Sequence, residues 1–302
     1  LQVAFGAITA AGAEERPGRF CRVTAWIEGP GNGSGEAEWK ATVQGRPAEI
    51  VRVRSPKDPL LIFLVMDVAG DLTLVDPARE AAVEAIEQLP PHVWTALLRA
   101  QDGLQVLVDP TADRPSMAAG IRGLQVAGRA GLLETLEPAS QLAAKVLRKS
   151  PLRIAILYLT DSNIFNYRED FTNPVINMSD TRDLSRRFPE ALIREKTAKL
   201  ADSAARTEAP VFIVHLSFLR DRLNEAYQTG LRRIAEASGG EALFCRSVAE
   251  IPSAVRSALD RIVTHWAIDV ELPDHTPKQY NVSLTAGGHT LKQRTVFALG
   301  KK

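Results

Sequence analysis

The sequence predicts an α/β protein in which a doubly wound, mostly parallel sheet is inserted into a discontinuous β domain. Three observations support this. Continuous apolar runs, "LLIFLVMD", "LRIAILYLTD" and "APVFIVHLS", match strands buried on both faces of a parallel sheet. Helical patterns lie between these runs, which is the alternation of a βαβ chain. Before residue 58 and after residue 266 the grammar reverts to short alternating strands and turns. Each terminal set alone is a small sheet with open edges, and joining the two sets buries those edges. The expected organisation is therefore a tail over 1–18, a β domain from 19–57 plus 267–299, and an α/β domain over 58–266.

In the first β set, "FCRVTAWIEG" alternates, "GPGNGSGE" reads as a turn, and "AEWKATVQGRPAEIVRV" reads as two strands joined at Gly45-Arg46-Pro47. The helix after the first buried strand is expected over Asp76–Leu89, with Asp76-Pro77 as N-cap and first-turn proline. "HVWTALLRAQDGLQVLVDP" reads as a hairpin turning at Asp102-Gly103. Helices follow over Pro115–Gly123, Gly131–Lys149, Ala191–Thr207, Arg222–Ala237 and Val248–Val263. Three closing strands are expected in "WAIDVELP", "QYNVSLTA" and "TLKQRTVFAL", with a turn at Gly287-Gly288.

The chain carries 37 basic and 36 acidic side chains among 302 residues, so no excess charge points to nucleic acid. Hydrophobic residues make up 45%, ample for a packed core. No apolar run approaches the ~18 residues of a membrane span. The chain starts at Leu1, which suggests a trimmed or processed N-terminus. Cys21 and Cys245 lack metal-ligand spacing; two buried thiols and one disulfide remain open readings. None of the five histidines has HExxH spacing, and neither a GxSxG elbow nor a GxxxxGK[ST] loop occurs. A non-enzymatic protein is expected.

Open parallel sheets bind ligands beyond the carboxyl ends of their strands. There "LIFLVMDVAGDLTL" places Asp67 and Asp71, and "LYLTDS" places Asp161. Three carboxylates on one rim call for a counter-charge. Either a hard cation supplies it, or a base such as Arg129 does. Immediately after Asp161, the polar insertion 163–188 begins, with Phe165, Tyr167, Arg168 and Asp170 in its first residues. It reads as a partner-binding lid or as a loop packed on its own domain.

The order "LVMDVAGDLTL", "GRAGLLETLEPASQLAAKVL", "IAILYLTDS" resembles a von Willebrand factor A-type domain, whose sheet is Rossmann-like. That family holds Mg²⁺ or Mn²⁺ with an Asp-x-Ser-x-Ser strand end, a loop threonine and a Thr-Asp-Gly strand end. A partner carboxylate completes the shell. Here Asp67 and Asp161 match the two aspartates, Ala69 and Asp71 stand for the serines, and Ala130 stands for the threonine. The resemblance thus implies a degenerate metal-ion-dependent adhesion site. Its candidate ligands are Asp67, Asp71 and Asp161, with either Mg²⁺ or Mn²⁺ or no cofactor. The flanking segments resemble those of a bacterial, largely acidobacterial, group of such proteins, which implies an exported location (periplasmic, secreted or cell-surface). The resemblance further implies a protein or peptide partner, and the residues expected on the binding rim are Arg129, Ser162, Phe165, Tyr167, Arg168 and Asp170. A metal-independent scaffold component of an envelope complex is the alternative.

Overall fold

The computed structural model describes residues 19–28, 38–68, 71–126, 128–150, 152–167 and 190–299. A six-stranded sheet forms the centre. Its strands are β5 (Leu60–Asp67), β6 (Val93–Arg99), β7 (Gln105–Thr111), β8 (Arg153–Thr160), β9 (Val211–His215) and β10 (Ala242–Phe244). The spatial order is β10-β9-β8-β5-β6-β7, parallel throughout except for β7.

Side chains of β5 alternate between two cores, as the pleat dictates. Leu60, Ile62, Leu64 and Met66 face one layer, built on α1 (Leu72–Glu87), α2 (Arg114–Arg122) and α6 (Ile251–Thr264). Leu61, Phe63 and Val65 face the other, built on α3 (Leu132–Lys149), α4 (Glu190–Ala204) and α5 (Arg222–Ser238). Both faces of the sheet are covered, which is why its strands read as unbroken apolar runs. This is the α/β class expected.

The terminal strands pair with one another. One sheet has the order β13-β1-β11-β4, comprising Thr290–Gln293, Phe20–Glu28, Trp266–Glu271 and Ile50–Arg54. The second has the order β14-β12-β2-β3, comprising Val296–Ala298, Gln279–Ala286, Trp39–Val43 and Arg46–Ala48. Val23, Ala25, Val43, Ile268, Val282 and Leu284 fill the space between the two sheets. The outer face of β1 also contributes Trp26, whose ring meets Phe212 edge-on at 6.2 Å inside the α/β core.

Three local expectations need correction. The helix after β5 starts at Leu72, not Asp76, because Asp71 is the N-cap and Pro77 lies inside the helix. "AEWKATVQGRPAEIVRV" makes three strands rather than two. Gln44 and Gly45 form its tight turn, both with positive φ, and β3 and β4 go to opposite sheets. "TLKQRTVFAL" makes two strands, β13 and β14, in different sheets. Arg294 turns inward between them and is buried on backbone carbonyls. The hairpin at Asp102-Gly103 forms as expected, with both residues at positive φ. Cys21 and Cys245 are free thiols, one in the β-sandwich core and the other in the α/β core. The tail, the "GPGNGSGE" turn and most of the 163–188 insertion lie outside the described residues.

Buried arginines tie the two parts together. Arg153, at the start of β8, is fully buried and donates to four carbonyls. Val263 and His265 accept at 2.8 and 2.9 Å, where α6 hands over to β11. Pro56 and Asp58 accept at 2.6 and 2.9 Å, where β4 hands over to β5. One guanidinium therefore holds both crossings between the β sandwich and the α/β layer. Arg153→Leu leaves four carbonyls without their donor. It is expected to lower stability by about 3–5 kcal/mol, read as a fall in the urea midpoint at unchanged slope. A loss below about 1 kcal/mol would show that water replaces the guanidinium.

Candidate functional site: the carboxyl rim of the parallel sheet

The chain leaves β5 toward β6 on one side and later returns across the sheet to β8 on the other. The crevice between the ends of β5 and β8 is therefore the topological switch point, where open α/β sheets take ligands. Asp67 and Thr160 face each other there in register.

Asp67 is fully buried. Its Oδ1 accepts the Gly131 N–H at 2.7 Å, and its Oδ2 accepts the Thr160 hydroxyl at 2.8 Å. The approach of Gly131 depends on its missing side chain: a Cβ there would sit 1.8 Å from the Ala100 carbonyl oxygen. Burial pushes the Asp67 carboxyl up to about 6, although the Gly131 and Thr160 donors pull the other way.

A run of hydroxyls continues from Asp67. Thr160 Oγ1 lies 2.5 Å from Ser162 Oγ, which lies 2.8 Å from the Tyr227 hydroxyl. His215 Nε2 donates to the Ser162 carbonyl at 2.7 Å, while its Nδ1 accepts from the Ser217 N–H at 3.4 Å. Both ring nitrogens are used in the neutral form, and burial pulls this imidazole down to about 4. Tyr167 packs against Tyr227 with ring centres 5.8 Å apart.

Asp71 is exposed and serves α1. Its Oδ1 accepts the Thr73 N–H at 2.9 Å and the Thr73 hydroxyl at 2.6 Å, which together hold its pKa below the usual carboxylate value. Asp161 is nearly buried, and its Oδ2 accepts the Asp71 N–H at 3.2 Å.

These contacts bear on the expected ligand set. Among the described residues, no group of three or more His, Cys, Asp or Glu side chains is placed to hold a metal ion. Asp67 has both oxygens committed to protein donors, and Asp71 caps a helix. As arranged, Asp67, Asp71 and Asp161 do not fit Mg²⁺ or Mn²⁺, which take carboxylate and water oxygens freed for coordination. Two expected rim residues also need correction. The side chains of Ser162 and Tyr167 are buried, one in the hydroxyl run and the other against Tyr227, so neither faces a partner. Arg129 is exposed on the rim, and its backbone N–H donates to Asp102 at 3.3 Å. The side chain of Phe165, and all of Arg168 and Asp170, lie outside the described residues.

Sequence reading missed Gly131, Tyr227 and His215. A glycine directly ahead of an apolar helix was the available signal for Gly131. Nothing local marks Tyr227 or His215, which meet Ser162 only once α5 and β9 are packed.

The switch-point crevice and the two covered faces define the class: a doubly wound α/β unit set beside a β sandwich, similar to von Willebrand factor A-type structures. No family model matches the chain. A "UPF0353 protein" of Mycolicibacterium gilvum (strain PYR-GCK) is 28% identical over 229 residues, which are 70% of this chain and 62% of that protein. The chain thus spans about three-fifths of that relative. Among solved structures, a von Willebrand factor type A protein from Catenulispora acidiphila is 11% identical, covering 94% of this chain and 74% of that one, with a TM-score of 0.47. The vWF domain of the type V pili tip protein Mfa5 from Porphyromonas gingivalis is 13% identical, covering 68% and 95%, also with a TM-score of 0.47.

Two substitutions test the roles assigned to the aspartates. Asp67 has a raised folded pKa, so its contribution is complete below the unfolded value of 3.8 and is lost as pH rises through about 6. Asp67→Asn keeps an acceptor for Gly131 and offers Thr160 a donor without ever ionising. In EDTA, its stability relative to the parent should climb between pH 4 and pH 6 and then level off. The total gain should be about 3 kcal/mol in urea titrations; a pH-independent difference would refute the assignment. Asp71→Ala should lower the melting temperature at neutral pH through loss of the cap, with an Asp71→Asn control retaining most of the parent's stability.

Proposed function

We propose that the chain is a non-enzymatic recognition module. It binds a protein or peptide at the carboxyl rim of the six-stranded sheet, without a bound cation, and acts in an exported setting. The observation that carries this reading is the commitment of Asp67. Both of its oxygens hold the Gly131 and Thr160 donors in place, so the carboxylate organises the rim from below and leaves recognition to the exposed residues around it. Exposed groups there include Leu72, at 59% of its free area, together with Asp71 and Arg129. The neighbouring hydroxyls of Thr160 and Ser162 are buried in a hydrogen-bonded run, which supports binding rather than nucleophilic chemistry. The exported setting draws on the sequence resemblance of the flanking segments. Among the described residues, no helix is long and apolar enough to cross a membrane.

A second reading, a scaffold component of an envelope complex that binds through helical faces, is favoured by the arginine-held crossings between the two parts. Two experiments separate the readings. Calorimetry with Mg²⁺ and with Mn²⁺ to millimolar concentration should give no saturable heat. Saturable binding lost in Asp161→Ala would overturn the cation-free rim. A photocrosslinking residue placed at Leu72 should yield a discrete adduct in cells making the protein, while the same residue at Arg233 on α5 should not. Adducts from Arg233 alone would reverse the choice in favour of the scaffold.

A further inference from the structure

A second concave feature lies far from the rim, where the first strand of the β sandwich meets the turn after α4. It is a groove of about 410 Å³, lined among others by Arg19, Phe20, Arg206, Glu208, Tyr280 and Phe297. That volume is in the range of small-molecule sites.

Two other arginines that line the groove, Arg22 and Arg294, are already engaged. Arg22 grips Asp269 through both carboxylate oxygens at 2.8 and 3.2 Å, and Arg54 adds a bond of 2.9 Å to the same carboxylate. Arg294 donates to the carbonyls of Ala205, Thr207, Ser238 and Val296, and its guanidinium lies 4.1 Å over the Phe297 ring. Two of those carbonyls follow the end of α4 and one ends α5, so helix dipoles answer its charge.

The remaining charged residues of the lining differ. Arg19, Arg206 and Glu208 all border the groove, yet none of the three forms an ion pair or a side-chain hydrogen bond among the described residues. Opposite charges thus line one groove without closing on one another, and Glu208 is partly buried there within the field of Arg22, which also lines the groove. A ligand carrying both signs can engage them together, while a simple anion would also meet the Glu208 carboxylate. The rings of Phe20, Tyr280 and Phe297 border the same space, with Tyr280 and Phe297 stacked at 5.8 Å.

We propose that this groove binds a small zwitterion. Its ammonium meets Glu208, its carboxylate or phosphate meets Arg19 and Arg206, and any apolar body lies along the aromatic edge. Free amino acids and amine-bearing phosphate headgroups share this chemistry.

The test is calorimetric titration of the full chain with L-phenylalanine and, separately, with phosphoethanolamine. Burial raises the Glu208 carboxyl above its ordinary range, so the titration is run at pH 8. One probe should bind saturably with a stoichiometry near one, which also assigns the source of the ligand. Glu208→Gln and Arg206→Ala should each weaken that binding about tenfold, with melting temperatures close to the parent. Removing either charge from the bound probe, as in phenylpropanoate and phenethylamine for the amino acid, should weaken it comparably. The proposal fails if neither probe saturates at millimolar concentration, if both variants bind like the parent, or if the anion alone binds as tightly as the zwitterion.

Discussion

The arrangement rests on guanidinium groups buried against backbone carbonyls. Arg153 and Arg294 are each at most 7% exposed, and each spends its donors on carbonyls where helices end or where the chain crosses between layers. Burial lowers both to about 10, which still leaves them charged at neutral pH. A charge taken out of water is costly unless its hydrogen-bonding capacity is met. Here the partners are carbonyls that helix geometry would otherwise leave orphaned. Each side meets most of the other's deficit, with Arg153 Nε left without a partner among the described residues. Because most of the carbonyls lie at or just past the ends of α4, α5 and α6 or in the 56–58 crossing, the sandwich is held to the helical layer by directional bonds as well as by apolar contact.

The Arg22–Asp269–Arg54 cluster works differently. Asp269 is 1% exposed; burial alone would raise its carboxyl, and the two arginines more than reverse that, holding it below the usual range. Arg22 comes from the first strand, Arg54 from the fourth and Asp269 from the eleventh, so the cluster joins the N-terminal and C-terminal segments across one sheet. Arg22 also reaches the Leu152 carbonyl at 3.3 Å, just before β8. Such a triad is weak as a source of net stability and strong as a constraint on register, since a one-residue slip would strand a buried charge. The sheet built from the two terminal segments thus has a charge lock that neither segment could form alone.

Much of this was legible in the sequence, and what was not legible has definite causes. Strands buried on both faces announce themselves as apolar runs, so β5, β8 and β9 and the alternation around them could be read directly. Asp71 was read as a ligand because spacing put it beside Asp67 in the chain. The nearest orphan donors are those of the helix that starts at Leu72, and its carboxylate satisfies them first. Pro77 misled for a related reason. A proline after an aspartate is a helix-start signal, but Asp71 also carries one, and the earlier cap won. The split of the last strand followed from Arg294, whose burial needs carbonyls 56 and 87 residues away. No local pattern reports on contacts at such separations.

The rim follows from the same economy of partners. A carboxylate at the end of a buried strand has three outcomes: it holds a cation, it pairs with a base, or it accepts hydrogen bonds from the protein and tolerates a raised pKa. With alanines at 69 and 130, the first outcome lacks the hydroxyl ligands that the resembled family uses. Asp67 is fully buried, and the Gly131 N–H and the Thr160 hydroxyl are among the donors that reach its carboxylate, with the Leu132 N–H also acting on it. Those donors in turn fix Gly131 at the start of α3 and orient Thr160 toward Ser162 and Tyr227. The aspartate has become the anchor of the loops that shape the rim. Under the proposed function, recognition falls to the residues those loops present to solvent.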